Sequence, residues 1–234
     1  MRLGLMQPYF LPYIGYWQLI NLVDHFIIYD DVQYIKQGWV NRNRYLNNRK
    51  PTFFTIPVSK GSMKDHMLDK KIQPQWHKKE ADKFIKSLKQ NYLKSDYAEL
   101  IDFFEKIVLF QSSDMVEYLH NSITKVCELL DIDTKITFSS SLKRNMNLSG
   151  QKSVLDICKM VNANAYTNPI GGAEIYDKEY FEDSSVELSF IRAKPIEYSQ
   201  LGKNKFVPYL SIIDMLFNCG IAGTKEYLTE YELL

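Results

Sequence analysis

The chain has 234 residues, with Lys plus Arg (29) nearly balancing Asp plus Glu (28) for a net charge of +1. Such a length buries a substantial core. The charge balance excludes a global basic field and argues against a dedicated nucleic-acid binder. No window approaches the ~20 consecutive apolar residues of a membrane span, and Pro8 interrupts the N-terminal apolar run before it reaches signal-peptide length. Cys127, Cys158 and Cys219 are unclustered, without C-x-x-C spacing, and read as small buried residues of a chain in a reducing, cytoplasmic compartment.

In chain order, residues 2–6 form a short apolar strand, followed by a loop dense in Pro and Tyr. Residues 16–23 place Trp17, Ile20 and Val23 on one helical face, and 26–29 (FIIY) form a second apolar strand ending at Asp30-Asp31. Strand, loop, helix and strand in this order predict a βαβ unit with a parallel pair. Residues 32–46 and 51–58 read as two extended segments joined around Asn47-Asn48, an antiparallel hairpin. Residues 74–130 change to helical periodicity and predict a three-helix insertion, with Asp114-x-x-Glu117 capping its third helix. The last third returns to α/β texture. Strands are expected at 136–138, 165–167 and 186–191, and helices at 154–161 and 208–218, the latter capped by Ser211 and stopped by Gly220. The expected fold class is therefore α/β: an N-terminal βαβ unit in a mixed, partly parallel sheet, with the helical insertion at about 74–131 of a single domain spanning 1–234.

Three stretches carry candidate chemistry. In an open parallel sheet, ligands sit outside the carboxyl ends of the strands. The loop after the first strand occupies such a place: Pro8 and Pro12 stiffen it, Gly15 permits close approach, Gln7 offers a donor and an acceptor, and Tyr9, Tyr13 and Tyr16 offer rings and hydroxyls. Asp30 and Asp31 end the second strand, where a carboxylate can act as a general base. Neighbours on a strand face opposite ways, so no close dyad is expected of them. In KQGWVNRNRY, an extended backbone puts Lys36, Arg42 and Arg44 on one face for a phosphate or carboxylate. The same backbone puts Trp39, Asn41 and Asn43 on the other face for a sugar or base. Asp214, inside an apolar helix, shares the Ser211 cap or serves as a buried partner for an arginine. Gly171-Gly172 reads as a turn more often than as a phosphate cradle, and both are kept as candidate substrate-binding positions. No P-loop, G-x-G-x-x-G, G-x-S-x-G or H-E-x-x-H pattern occurs, and the four histidines show no metal-ligand spacing. No metal site is evident, and the sequence leaves the cofactor unknown.

The run MQPYFLPYIGYWQLI, then DHFIIYDDVQY, WVNRNR, YTNPIGGAEIYD and KFVPYLSIIDMLFNCG, resembles the WbqC-like proteins over essentially the whole chain. Tyr13 stands where that family also uses Trp. The matching motif positions are Gln7, Pro8, Leu11, Pro12, Gly15, Asp30, Asp31, Lys36, Trp39, Asn41 and Arg42, with Gly171, Gly172 and Asp214 added from the closing motifs. The resemblance implies a role in bacterial O-antigen and other surface-polysaccharide biosynthesis. The expectation is an enzyme that transfers an acyl or aminoacyl group to the amine of a nucleotide-linked sugar, with Asp30 or Asp31 as base. In it Gln7 and the loop tyrosines hold the sugar, and Lys36 and Arg42 take the diphosphate. The strand–loop–helix–strand opening is also similar to the H-I-G-H nucleotidyltransferases, although Tyr16 stands in the place of the last histidine. A noncatalytic partner of a sugar-processing enzyme is the third reading. The first reading requires the opening loop, the aspartates and the 36–44 ribbon to converge on one hollow.

Overall fold

The structure, a computed structural model, describes residues 1–62, 65–202 and 205–234. β1 (Arg2–Met6), β2 (His25–Ile28), β5 (Lys135–Phe138), β6 (Ala165–Pro169), β7 (Glu187–Ala193) and β8 (Tyr231–Leu233) form a sheet in the order β5-β2-β1-β6-β7-β8. All pairs are parallel except β7–β8. β1 and β2 are apolar at nearly every position because both faces of a parallel sheet are covered. Leu3, Leu5 and Ile27 pack with Val154, Ile157 and Phe181 of α5 (Gly150–Met160) and α6 (Lys178–Glu182). Phe26 and Ile28 point the other way, toward Trp17 and Ile20 of α1 (Ile14–Leu22) and Ile213 and Leu216 of α7 (Ile212–Glu226).

The crossover from β2 to β5 carries the hairpin of β3 (Arg42–Asn47) and β4 (Lys50–Thr55), then α2 (Ala81–Tyr92), α3 (Leu100–Val108) and α4 (Met115–Leu129). Asn48 and Arg49, both left-handed at φ 49° and 62°, make the hairpin turn. The carboxylate of Asp114 caps α4 by accepting the Glu117 amide at 3.0 Å. The three helices share one apolar core with α1, the hairpin and α7.

Three expectations need correction. Residues 36–41 are not extended: Gln37 is left-handed (φ 64°), and a turn bonds the Gly38 amide to the Ile35 carbonyl at 3.1 Å. Helix α7 begins at Ile212, not 208, because Tyr209 is left-handed (φ 56°). Gly220 (φ 68°) kinks it without ending it, and the helix runs on to Glu226. The three-residue strand β8 was not anticipated; it pairs with the outer edge of β7.

Candidate functional site

The opening loop leaves β1 at the carboxyl edge of the sheet, where β1 and β6 are neighbours and the chain's connections run off to opposite sides. Its backbone is held from several directions. Leu11 is buried and left-handed at φ 45°, a conformation that surrounding bonds must over-determine. Its carbonyl accepts from Asn43 Nδ2 at 3.0 Å and from the Ser211 hydroxyl at 2.6 Å. The Pro12 carbonyl accepts from the Ile212 amide at 2.9 Å and from Trp17 Nε1 at 3.1 Å. The Tyr16 hydroxyl donates to the Gln7 carbonyl at 3.1 Å, and Gln7 Nε2 donates to the Gln33 carbonyl at 3.3 Å. Tyr16 is buried and Tyr9 half-buried against it, with ring centres 5.6 Å apart, and burial raises the phenol pKa of both. Tyr13 is the loop's outward ring, 36% exposed. It folds back over the first turn of α1, where a Cβ on Gly15 would collide with its hydroxyl.

Asp30 and Asp31 do not face away from each other. β2 ends at Ile28, so the strand alternation no longer governs them. Both are buried, at 2% and 6% exposure. The Ser139 hydroxyl lies 2.9 Å from Asp30 Oδ1 and 2.5 Å from Asp31 Oδ1, so the carboxylates meet at one proton. Asp30 also accepts from the Ser140 amide at 2.9 Å and hydroxyl at 2.6 Å. Asp31 takes Arg144 side-on, Nε at 2.8 Å and Nη2 at 2.7 Å. Burial by itself would lower the Arg144 pKa; its bonds to Asp31 outweigh this, and the net shift is upward. The pair therefore brackets the ends of β2 and β5, its oxygens taken by protein donors.

The W-V-N-R-N-R segment divides differently from an extended ribbon. Asn41 and Asn43 turn inward: Asn41 Nδ2 donates to the Ile56 carbonyl at 2.6 Å and Asn43 holds Leu11. Trp39 joins the arginines on the outside. The Arg42 guanidinium lies 5.9 Å from the Trp39 ring centre and 5.1 Å from that of Phe53, and Arg44 lies 6.0 Å from Trp39. Arg42 spends its donors on the carbonyls of Gly38 and Gln37, and Arg44 Nη2 donates to the Tyr209 carbonyl at 3.3 Å.

The closing segments complete the edge. Gly172 has no room for a Cβ beside the Asn168 amide, whereas Gly171 faces open space. Asp214, fully buried, pairs with no arginine. Its carboxylate accepts from Tyr92 at 2.8 Å, Tyr198 at 2.9 Å and Gln200 Nε2 at 2.9 Å. Burial raises its pKa against the lowering effect of these donors. Tyr198 belongs to the wall of a hollow of about 670 Å³, formed also by Tyr13, Ile170, Arg192, Lys194, Glu197, Phe206 and Tyr209. Tyr209 is 70% exposed, and its ring centre lies 6.1 Å from that of Tyr13. A second hollow, of about 650 Å³, is lined by Lys36 with Gln33, Tyr34, Lys60 and Lys70.

The three sequence stretches thus do not share one hollow. Tyr13 lines the first, Lys36 the second, and Asp30 and Asp31 neither. Among the described residues, no cluster of His, Cys, Asp or Glu is arranged to hold a metal, and no helix is long and apolar enough to cross a membrane. Burial pushes the thiols of Cys127 and Cys158 up to about 12, and that of half-buried Cys219 up to about 11.

A family model described as the WbqC-like protein family matches residues 7–226. The chain belongs to the WbqC-like protein family. It is 28% identical over 232 residues to "Uncharacterized protein Rv1507c" of Mycobacterium tuberculosis (strain ATCC 25618 / H37Rv), covering 97% of each chain. No solved structure matches. The matched span contains the opening loop, the Asp31–Arg144 pair and the whole wall of the first hollow. Sequence reasoning missed Arg144, Tyr198, Gln200, Arg192 and Lys194, which no local pattern marks. Tyr209 had a signal, because it sits within the V-P-Y-L-S run that resembles the family's closing motif.

Proposed function

We propose that this WbqC-like protein is an enzyme of bacterial surface-polysaccharide (O-antigen) assembly that transfers an acyl or aminoacyl group to the amine of a nucleotide-linked amino sugar. The convergence of three sequence stretches on one hollow, which the reading first required, is absent; the reading stands instead on a different observation, the hollow between Tyr13 and Tyr209 at the carboxyl edge of the sheet. Its size is in the range of small-molecule sites. Tyrosine and phenylalanine rings supply flat walls for a sugar, and Arg192 and Lys194, ion-paired at the rim with Glu232 at 3.8 Å and Glu230 at 3.1 Å, present cationic donors that a diphosphate can share. Glu197 is the single carboxylate of that wall among the described residues. In the reaction the sugar nitrogen bonds to the activated carbonyl carbon, the donor's leaving group departs with its electron pair, and Glu197 accepts the ammonium proton. Asp30 and Asp31 act in this reading as positioning residues that fix the strand ends.

The test is a calorimetric titration with nucleotide-linked amino sugars. Saturable binding is expected, weakened at least tenfold by Tyr13→Ala or Tyr209→Ala. Glu197→Gln is expected to keep binding while lowering turnover with an activated acyl donor. Absence of binding by any nucleotide-linked amino sugar, or full turnover in Glu197→Gln, refutes the reading. A second reading, nucleotidyl transfer, draws on the strand order: the parallel strands follow 3-2-1-4-5 in chain sequence, the order of doubly wound nucleotide-binding sheets. It predicts ATP-dependent pyrophosphate exchange, which the acyl-transfer reading does not.

A further inference from the structure

Beyond Gln7, on the β2 side of the opening loop, the second hollow is built from three separate parts of the chain: Gln33 to Lys36 after β2, Val58 to Ser62 after β4, and Lys70. Among the described residues no Asp or Glu lines it, whereas three lysines do. Lys70 forms a buried part of the wall, its side chain only 4% exposed. It donates to Asp65 Oδ2 at 2.8 Å and lies 5.3 Å from the centre of the Tyr34 ring. The other oxygen of Asp65 accepts the Ser62 amide at 3.1 Å, so that carboxylate is consumed within the wall. Gly61 makes this packing feasible: a Cβ there would collide with Asp65 Oδ2 and stand 3.1 Å from Lys70 Nζ. Asp65 thus offsets Lys70 alone. Lys36 and Lys60, both exposed, form no ion pair among the described residues, which leaves the hollow two positive charges in excess.

We infer that this lysine hollow binds the phosphate groups of the second substrate, an activated acyl donor carried on a phosphate ester or anhydride. The inference rests on the acyl-transfer reading and assigns the partner substrate of the same reaction. Ammonium groups converging on a concave surface without carboxylates select an ion bearing more than one negative charge, because each lysine meets a separate oxygen. The Gln7–Gln33 bond joins this wall to the loop that presents Tyr13 to the first hollow. The opening loop thus lines the first hollow through Tyr13 and braces the wall of the second through Gln7.

The experiment is calorimetric titration of the full chain with inorganic pyrophosphate at fixed ionic strength. Lys36→Gln and Lys60→Gln change exposed side chains, so the fold is expected to survive, which an unchanged melting temperature checks. Each is expected to weaken pyrophosphate about tenfold, and the pair about a hundredfold. Tyr209→Ala is expected to leave pyrophosphate affinity unchanged while weakening the amino sugar. Undiminished affinity in the Lys36→Gln/Lys60→Gln variant overturns the inference. So does failure of the wild type to saturate, or dependence of binding on Arg192 and Lys194 instead. Pyrophosphate binding that behaves as expected while no amino sugar binds anywhere would sustain the phosphate site and refute the sugar reading, so the two failures are separable.

Discussion

Asp31→Asn separates a structural from a catalytic aspartate. The substitution keeps the shape of the side chain and removes its charge, leaving the Arg144 guanidinium, 4% exposed, without a counter-ion. Removing one partner of a buried ion pair costs about 3–5 kcal/mol. The geometry favours the upper half of that range, since two charge-assisted bonds at 2.7 and 2.8 Å are weakened together. With a urea m-value of about 3 kcal/mol/M, the unfolding midpoint is expected to fall by about 1 to 2 M. Arg144→Met is expected to cost a similar amount, as it buries the Asp31 carboxylate with Ser139 as its remaining donor. The double variant Asp31→Leu/Arg144→Met, free of both charges, is expected to be more stable than the worse single variant. The assay is urea denaturation followed by far-ultraviolet circular dichroism. Single-variant losses below about 1 kcal/mol, or a double variant whose loss equals the sum of the singles, would refute the bracket.

Gly15→Ala forces the Tyr13 ring off the first turn of α1, and because that ring is partly exposed it can swing into solvent. Alanine is the better helix former by up to about 1 kcal/mol, so the melting temperature is expected to hold or rise while affinity for a ligand of the first hollow falls several-fold. Asp214 carries a pKa raised by burial above the ordinary 3.8, so between these values the folded chain holds the proton that the unfolded chain has lost. Stability relative to Asp214→Asn is therefore expected to fall as pH rises through that window and level off above it; a difference that grows with pH in urea titrations would reverse the sign and refute this. Gly220→Ala meets both a φ of 68° and the Tyr97 ring. A loss of about 1–3 kcal/mol is expected, read as a melting temperature lowered by several degrees.

The parallel core was legible because β1 and β2 are short apolar runs bounded by turn residues, and burial on both faces leaves just that signature. Helices α2 to α4 were legible by period, and Ser211 and Asp114 as caps by residue type. Residues 36–41 misled because alternation was read across Gly38, where the chain turns back. The left-handed Leu11 had no sequence signal, since what holds it there is a pair of donors from β3 and from the start of α7. The site failed to converge for a related reason. Asp30 and Asp31 look available in sequence, and the arginine that closes over Asp31 stands 113 residues later without a motif. Asp214 was expected to share the Ser211 cap or to partner an arginine; its three donors come instead from α2 and from the segment before α7, which periodicity cannot pair.

The Leu11 carbonyl, held by Asn43 and by Ser211 at separations of 32 and 200 residues, also sets an order of events during synthesis. Tyr13 and Ile14, which the opening loop lends to the first hollow, are made long before Ser211, yet the loop's geometry is fixed only once Ser211 has been added. A nascent or prematurely terminated product ending before Ser211 keeps the aromatic residues but lacks the latch that shapes them. The opening loop therefore takes its final shape only after the chain has been made through Ser211.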